Sequence, residues 1–212
     1  MRIVAARLRN FRNHAETRVE FGAGVNALLG DNGEGKTNLL EAVAYLSLTK
    51  SFYGAHDRQV GRLGETGFEV EGSLLSDAGT PVDVRAVFEA ASGVKAFTVN
   101  GARPETLASV IGRFPVVVLS PENSGVTFGA PAERRRFLDM ILCQVSPVYL
   151  EEMQEYRRVL RQRNRLLLDA RNGRGGALEP WTASLAAHGA RIVERRREFA
   201  SVFIRYVADA YR

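Results

Sequence analysis

The sequence predicts an α/β core with an antiparallel sheet inserted or attached, followed by a helical lobe. Three observations carry this. A Gly-x-x-x-x-Gly-Lys-Thr element runs from Gly30 to Thr37. Short alternating apolar runs fill Phe68 to Asn100. After Pro131 the chain turns to long charged stretches with apolar residues at helical spacing. The lobes are expected at residues 1–130 and 131–212.

Residues 2–9 and 18–21 alternate as strands do, with "FRNHAE" between them. "GVNALL" (Gly24–Leu29) reads as a short buried strand entering the glycine loop, and Leu39, Leu40, Val43 and Leu46 then recur at helical spacing. Strand, glycine loop and helix in this order make a phosphate cradle. Positions without a Cβ at Gly30, Gly33 and Gly35 let backbone amides wrap an anion, and the helix aims its unpaired amides at the same charge. Lys36 reaches the β and γ phosphates of a nucleotide triphosphate and the Thr37 hydroxyl can ligate Mg²⁺, with Asp31 and Glu34 lying in the same nucleotide-binding loop. Only three of the 29 basic side chains are lysines, at 36, 50 and 95, yet the loop holds one of them. The guanidinium fork does not replace a compact ammonium there.

Beyond the loop, "FEVEGSLL", "PVDVRAVFEA" and "KAFTVNG" are strands, with a turn at Asn100-Gly101. A helix is expected near Pro104 and a fully buried strand at "FPVVVL" (Phe114–Leu119). "PAERRRFLDMILCQV" starts a helix with proline in its first turn and buries Phe137, Leu138, Ile141, Leu142 and Val145. Pro147–Arg171 and about Trp181 to the C-terminus form two long helices across the breaker "NGRGG", which makes an antiparallel pair. There is no internal repeat.

Composition narrows the class. Residues 1–130 carry 13 basic and 14 acidic side chains, whereas residues 131–212 carry 16 and 10, so the excess positive charge lies in the second part. Arg134, Arg135, Arg157 and Arg161 are the candidates for a polyanion such as DNA, against the plainer reading of Arg134–Arg136 and Arg195–Arg197 as solvated helix faces. Cys143 stands alone and His14, His56 and His188 are far apart, which excludes a disulfide framework and gives no histidine metal site. No apolar run is long enough to cross a bilayer, and Arg2, Arg7 and Arg9 interrupt the N-terminus, so a cytoplasmic location is expected. An Asn-Lys-x-Asp guanine reader is absent, as are a Ser-Gly-Gly signature loop and a strand ending in Asp-Glu. The nearest imitation of the latter, Val116–Glu122, is interrupted by Pro121.

Four segments resemble a known family: "LRNFRNH" (8–14), "GDNGEGKTNLLEAVAYLSLTKSF" (30–52), "SPENSGVTFGAPAERRRFLD" (120–139) and "SPVYLEEMQEYRRVLRQRN" (146–164). They are similar to the bacterial RecF recombination mediators almost from end to end. Glu34 stands where that family usually has glutamine. The resemblance implies an ATPase head of the ABC and SMC type that dimerises around ATP and Mg²⁺ and binds DNA. It also implies action with RecO and RecR in gap repair, DNA replication and the SOS response. Gly30, Asn32, Gly33, Gly35, Lys36, Thr37 and Asn38 match the family's phosphate loop, and Arg12 and Asn13 its loop near the base or phosphates. Ser120–Glu122 fall near a metal-contacting loop but hold no glutamine. Family members continue past the helical lobe, so the chain is expected to be an N-terminal portion, the alternative being a degenerate relative that only binds nucleotide; on its own it is expected to bind Mg-ATP weakly, as a monomer and without turnover. The alternatives are a transporter nucleotide-binding subunit and a nonenzymatic DNA-binding scaffold with a vestigial loop.

Overall fold

The structure, a computed structural model, describes residues 1–120, 124–171 and 176–212. The chain divides into two compact units, Met1–Val118 and Leu119–Arg212. The change of composition at Pro131 falls inside the second unit.

The first unit is built on a sheet of β1 (Arg2–Phe11), β2 (His14–Glu20), β3 (Gly67–Leu75), β4 (Pro81–Glu89) and β5 (Val94–Val99). Its order is β2-β1-β3-β4-β5, and every neighbouring pair is antiparallel. Alternation sets the faces: Ala6, Leu8, Phe68, Val70, Val84, Ala86 and Phe88 point to the core. Arg7, Arg9, Glu69, Glu71 and Arg85 take the opposite positions, and register brings Arg7 beside Glu71, Arg9 beside Glu69 and Glu71 beside Arg85. Opposite charges across strands favour this register over a slipped one, although each exposed pair contributes little to stability.

Helix α1 (Lys36–Leu48) lies on the apolar face. Leu39, Ala42, Tyr45 and Leu46 are its buried positions. Tyr45 sits edge-on to Phe11 and Phe68, at 6.1 and 5.4 Å between ring centres. Its hydroxyl donates to Asp57 Oδ1 at 2.6 Å, and burial together with that carboxylate pushes its pKa far up. Gly72 on β3 admits the helix, because a Cβ there would overlap the Leu46 side chain. A short turn, α2 (Asp57–Val60), follows. The Asn100-Gly101 turn forms as expected, both residues at positive φ (51° and 77°).

Three expectations need correction. Gly24–Leu29 forms no strand: Val25 and Leu29 are 99% and 90% exposed, while Leu28 alone packs on the core. Phe114–Leu119 forms none either, burying Phe114 but leaving Val117 and Leu119 exposed. Both runs have the apolar content of buried strands, but neither is hydrogen-bonded into the sheet, and a strand exists only through its neighbour's amides and carbonyls. The helix near Pro104 is reduced to a 3₁₀ turn at Leu107–Val110. The "NGRGG" breaker, save Gly176, lies outside the described residues, as do Pro121 and Glu122.

The second unit contains α3 (Ser124–Phe128), α4 (Pro131–Val145), α5 (Pro147–Arg171) and α6 (Glu179–Ala210). Side-chain pairs running in opposite chain directions show that α5 and α6 are antiparallel: Arg163 meets Thr182, and Glu152 meets His188 and Arg191. Leu142, Tyr149, Met153 and Ile192 form its small core, with Cys143, Tyr156 and Phe199 against it. Val145, expected to be buried, is 63% exposed, and Val202 and Tyr206 of α6 are 52% and 70% exposed. Among the described residues no helix is long and apolar enough to cross a membrane.

Polar contacts tie α4, α5 and α6 together. Arg196 donates to both oxygens of Asp139 at 2.8 Å, and the Tyr149 hydroxyl donates to the same carboxylate at 2.5 Å. Arg196 therefore faces inward and departs from the solvated arginine face expected of it. Asp139→Asn keeps the volume but loses the charge and one acceptor, and is expected to cost about 2 kcal/mol. Chemical denaturation would check this. In a double-mutant cycle with Arg196→Met, additive losses would show that the pair contributes nothing.

Candidate nucleotide site

The glycine loop leads directly into α1. Gly30, Gly33 and Gly35 all have positive φ, at 149°, 89° and 101°. Gly35 must be glycine on two grounds. It takes the left-handed conformation just ahead of the helix, and a Cβ there would sit 2.5 Å from the Asn13 amide oxygen and 2.7 Å from the His14 ring. No side chain caps α1. Its first backbone hydrogen bond is Leu39 N–H to Gly35 C=O at 2.9 Å, so the earlier amides stay turned toward the loop, with the positive end of the helix dipole behind them.

Lys36 folds back along the loop, its ammonium donating to Gly30 C=O at 2.8 Å and Asp31 C=O at 2.7 Å. The Glu34 carboxylate accepts from Asp31 N–H at 2.9 Å. Asp31, Asn32, Gly33, Glu34 and Thr37 are exposed. Thr37 and Asn38 line an open cavity of about 640 Å³ together with Tyr53, Gln59, Gly61 and Leu63.

The turn between β1 and β2 braces the loop from outside. Asn13 donates to Gly33 C=O at 3.2 Å and accepts from the Asn38 amide at 2.8 Å. His14 places Nε2 3.1 Å from Gly35 C=O while Nδ1 meets the Thr17 hydroxyl at 2.8 Å. A ring that donates from Nε2 to the carbonyl satisfies the first contact, and the Thr17 hydroxyl can turn to suit Nδ1. Arg12, at φ 54°, is tied down differently. Its Nε and Nη2 donate to the two oxygens of Glu41 at 2.8 and 2.7 Å, and Nη1 donates to Gln59 C=O at 2.9 Å. Glu41 has no exposed surface and also accepts from the Ser51 hydroxyl at 2.5 Å. The structure thus brings Arg12 and Asn13 to the loop together, but Asn13 touches it while Arg12 is held by α1.

Glu41, His14 and Ser51 were not singled out by sequence reading. Glu41 did carry a signal. It is a carboxylate beside Ala42 on the face of α1 that carries Tyr45, and a carboxylate in such a place requires a partner. Of the arginines considered for a polyanion, Arg157 and Arg161 are exposed one turn apart on α5, whereas Arg134 donates to Gly129 C=O at 3.0 Å and Arg135 is exposed on α4. Among the described residues no group of three or more His, Cys, Asp or Glu side chains is gathered to hold a metal. What the loop offers a cation is the exposed Thr37 hydroxyl, a hard oxygen suited to Mg²⁺ with the remaining ligands from phosphate and water.

This arrangement agrees with comparisons to known proteins. Residues 6–164 match the AAA domain family, from β1 through most of α5. The chain belongs to that family. Among curated relatives, the DNA replication and repair protein RecF of Salinibacter ruber is 44% identical over 97% of this chain and 51% of its own length. RecF of Prosthecochloris aestuarii is 38% identical over 100% of this chain and 57% of its own. The chain thus spans about half the length of these relatives and corresponds to their N-terminal part. A solved structure of the recombination mediator protein RecF with ATP superposes with a TM-score of 0.86 at 30% identity, covering 94% of this chain and 54% of that one. An SMC ATPase structure, at 20% identity and a TM-score of 0.53, shares the fold. The fold is that of an ABC/SMC-type P-loop ATPase head.

Proposed function

We propose that this chain binds ATP with Mg²⁺ through Gly30–Asn38 and serves DNA replication and repair as part of a RecF-like protein. The observation that carries the reading is the loop itself: three glycines at positive φ, an uncapped helix behind them, and Lys36 lying along the same backbone. RecF relatives at 38–44% identity and the likeness to a RecF–ATP structure support it. Mg²⁺ would sit at Thr37. When bound it screens the triphosphate charge, while Lys36 and the loop amides orient the phosphates.

In this reading the protein works in the cytoplasm beside RecO- and RecR-type mediators, and its full-length form is an ATP-dependent homodimer with weak DNA-stimulated turnover. DNA is contacted through phosphates, with Arg157 and Arg161 of α5 as the leading residues. They project from one exposed face a single helical turn apart, and among the described residues neither has an ion-pair partner within 4.0 Å. The relatives' role in replication and repair favours this reading over a transporter subunit.

Duplex binding is accordingly expected to weaken steeply with salt whatever the base sequence, since each neutralised phosphate releases counterions. Arg157→Ala and Arg161→Ala should each lower the slope of log K against log salt by about 1. Fluorescence anisotropy at several ionic strengths measures it. An affinity indifferent to salt, or slopes unchanged in both variants, would remove these arginines from the interface.

A further inference from the structure

The peptide between Gly30 and Asp31 is gripped at both ends by opposite charges. Its carbonyl accepts from the Lys36 ammonium at 2.8 Å, and its N–H donates to the Glu34 carboxylate at 2.9 Å. Lys36 also holds the next carbonyl, that of Asp31, at 2.7 Å. The carboxylate lies so close against Gly30 that a Cβ at this position would overlap it. An anion donated by the loop's own chain thus occupies one amide of the cradle, and its charge polarises the peptide toward the lysine and strengthens the lysine's hold.

We propose that Glu34 is a built-in competitor of the nucleotide, a latch that the incoming phosphates must displace before Lys36 is released to them. The inference rests on the reading of this loop as an ATP site. Three terms act with one sign. The phosphates need loop amides, and Glu34 holds one of them. They need the Lys36 ammonium, which stays on Gly30 and Asp31 while the polarised peptide retains it. They also enter beside a carboxylate of like charge, in a loop exposed enough that repulsion is moderate rather than prohibitive. Glutamine at this position keeps an acceptor for Asp31 N–H but carries no charge, so it separates a competing anion from a hydrogen bond that merely shapes the loop.

Isothermal titration of the full 212-residue chain with Mg-ATP tests this in wild type, Glu34→Gln, Glu34→Ala and Lys36→Met. Glu34→Gln is expected to bind about three- to tenfold more tightly than wild type, a gain that shrinks as salt is raised. Glu34→Ala should shift the same way, because it frees the amide as well. Unchanged affinity in Glu34→Gln with weaker binding in Glu34→Ala would make Glu34 a brace of the loop and overturn the latch. If wild type, Glu34→Gln and Glu34→Ala all fail to bind, or Lys36→Met binds as well as wild type, the ATP assignment falls and the latch with it.

Discussion

Lys36→Met abolishes the stabilisation that Mg-ATP confers on the chain while leaving the nucleotide-free protein close to its original thermal midpoint. The side chain is partly exposed, and its partners are two loop carbonyls that water can satisfy once the ammonium is gone. Its removal therefore creates no cavity and strands no buried charge. Methionine keeps the length and the apolar stem but cannot place a positive charge against the β and γ phosphates. A ligand at about a hundred times its dissociation constant contributes about 2.7 kcal/mol to the native state, and this is the quantity the variant should lose. Thermal melts with and without Mg-ATP measure both halves of the prediction. Equal nucleotide-dependent shifts in wild type and variant would reject the site.

Arg12→Ala is expected to act the other way round, lowering stability before any nucleotide is added. The guanidinium bridges α1 to the segment around Gln59 and pairs bidentately with Glu41, whose carboxylate is wholly buried. Without it Glu41 loses both guanidinium donors and retains the Ser51 hydroxyl, and a buried carboxylate so deprived costs about 3 kcal/mol. Arg12→Ala combined with Glu41→Gln should recover part of that loss, because the charge left stranded is then removed as well. A nucleotide-free midpoint unchanged in Arg12→Ala would mean that the residue serves the ligand and not the fold. The same loss should reach the site indirectly, since Asn13, next along the chain, holds Gly33 and Asn38.

The glycine loop was legible because its chemistry is local. Three glycines, a lysine and a helix start fall within nine residues, and the cradle of backbone amides is written in that stretch even though Asn13 and His14 brace it from outside. The strands were largely legible for a similar reason: period-two alternation marks a surface with one apolar face, and Asn100-Gly101 announces the turn that follows β5, although β2 begins at His14, inside the stretch read as a connection. The antiparallel α5–α6 pair follows from two long amphipathic stretches across a short breaker.

Other features depend on which segments meet. Gly24–Leu29 and Phe114–Leu119 have the apolar content of strands, but content records an appetite for burial and not the presence of a hydrogen-bonding neighbour. Arg196 sits in a run of three arginines that reads as a solvated face, until Asp139, 57 residues earlier, turns it inward. Arg12 and Glu41 are 29 residues apart, and neither position alone says that they form one partly buried ion pair behind the loop. Local periodicity and backbone chemistry are short-ranged and can be read along the chain. The pairing of a buried charge, or of a strand edge, is a choice of partner made across the fold, and the free energy of burial decides it only when the chain has closed on itself.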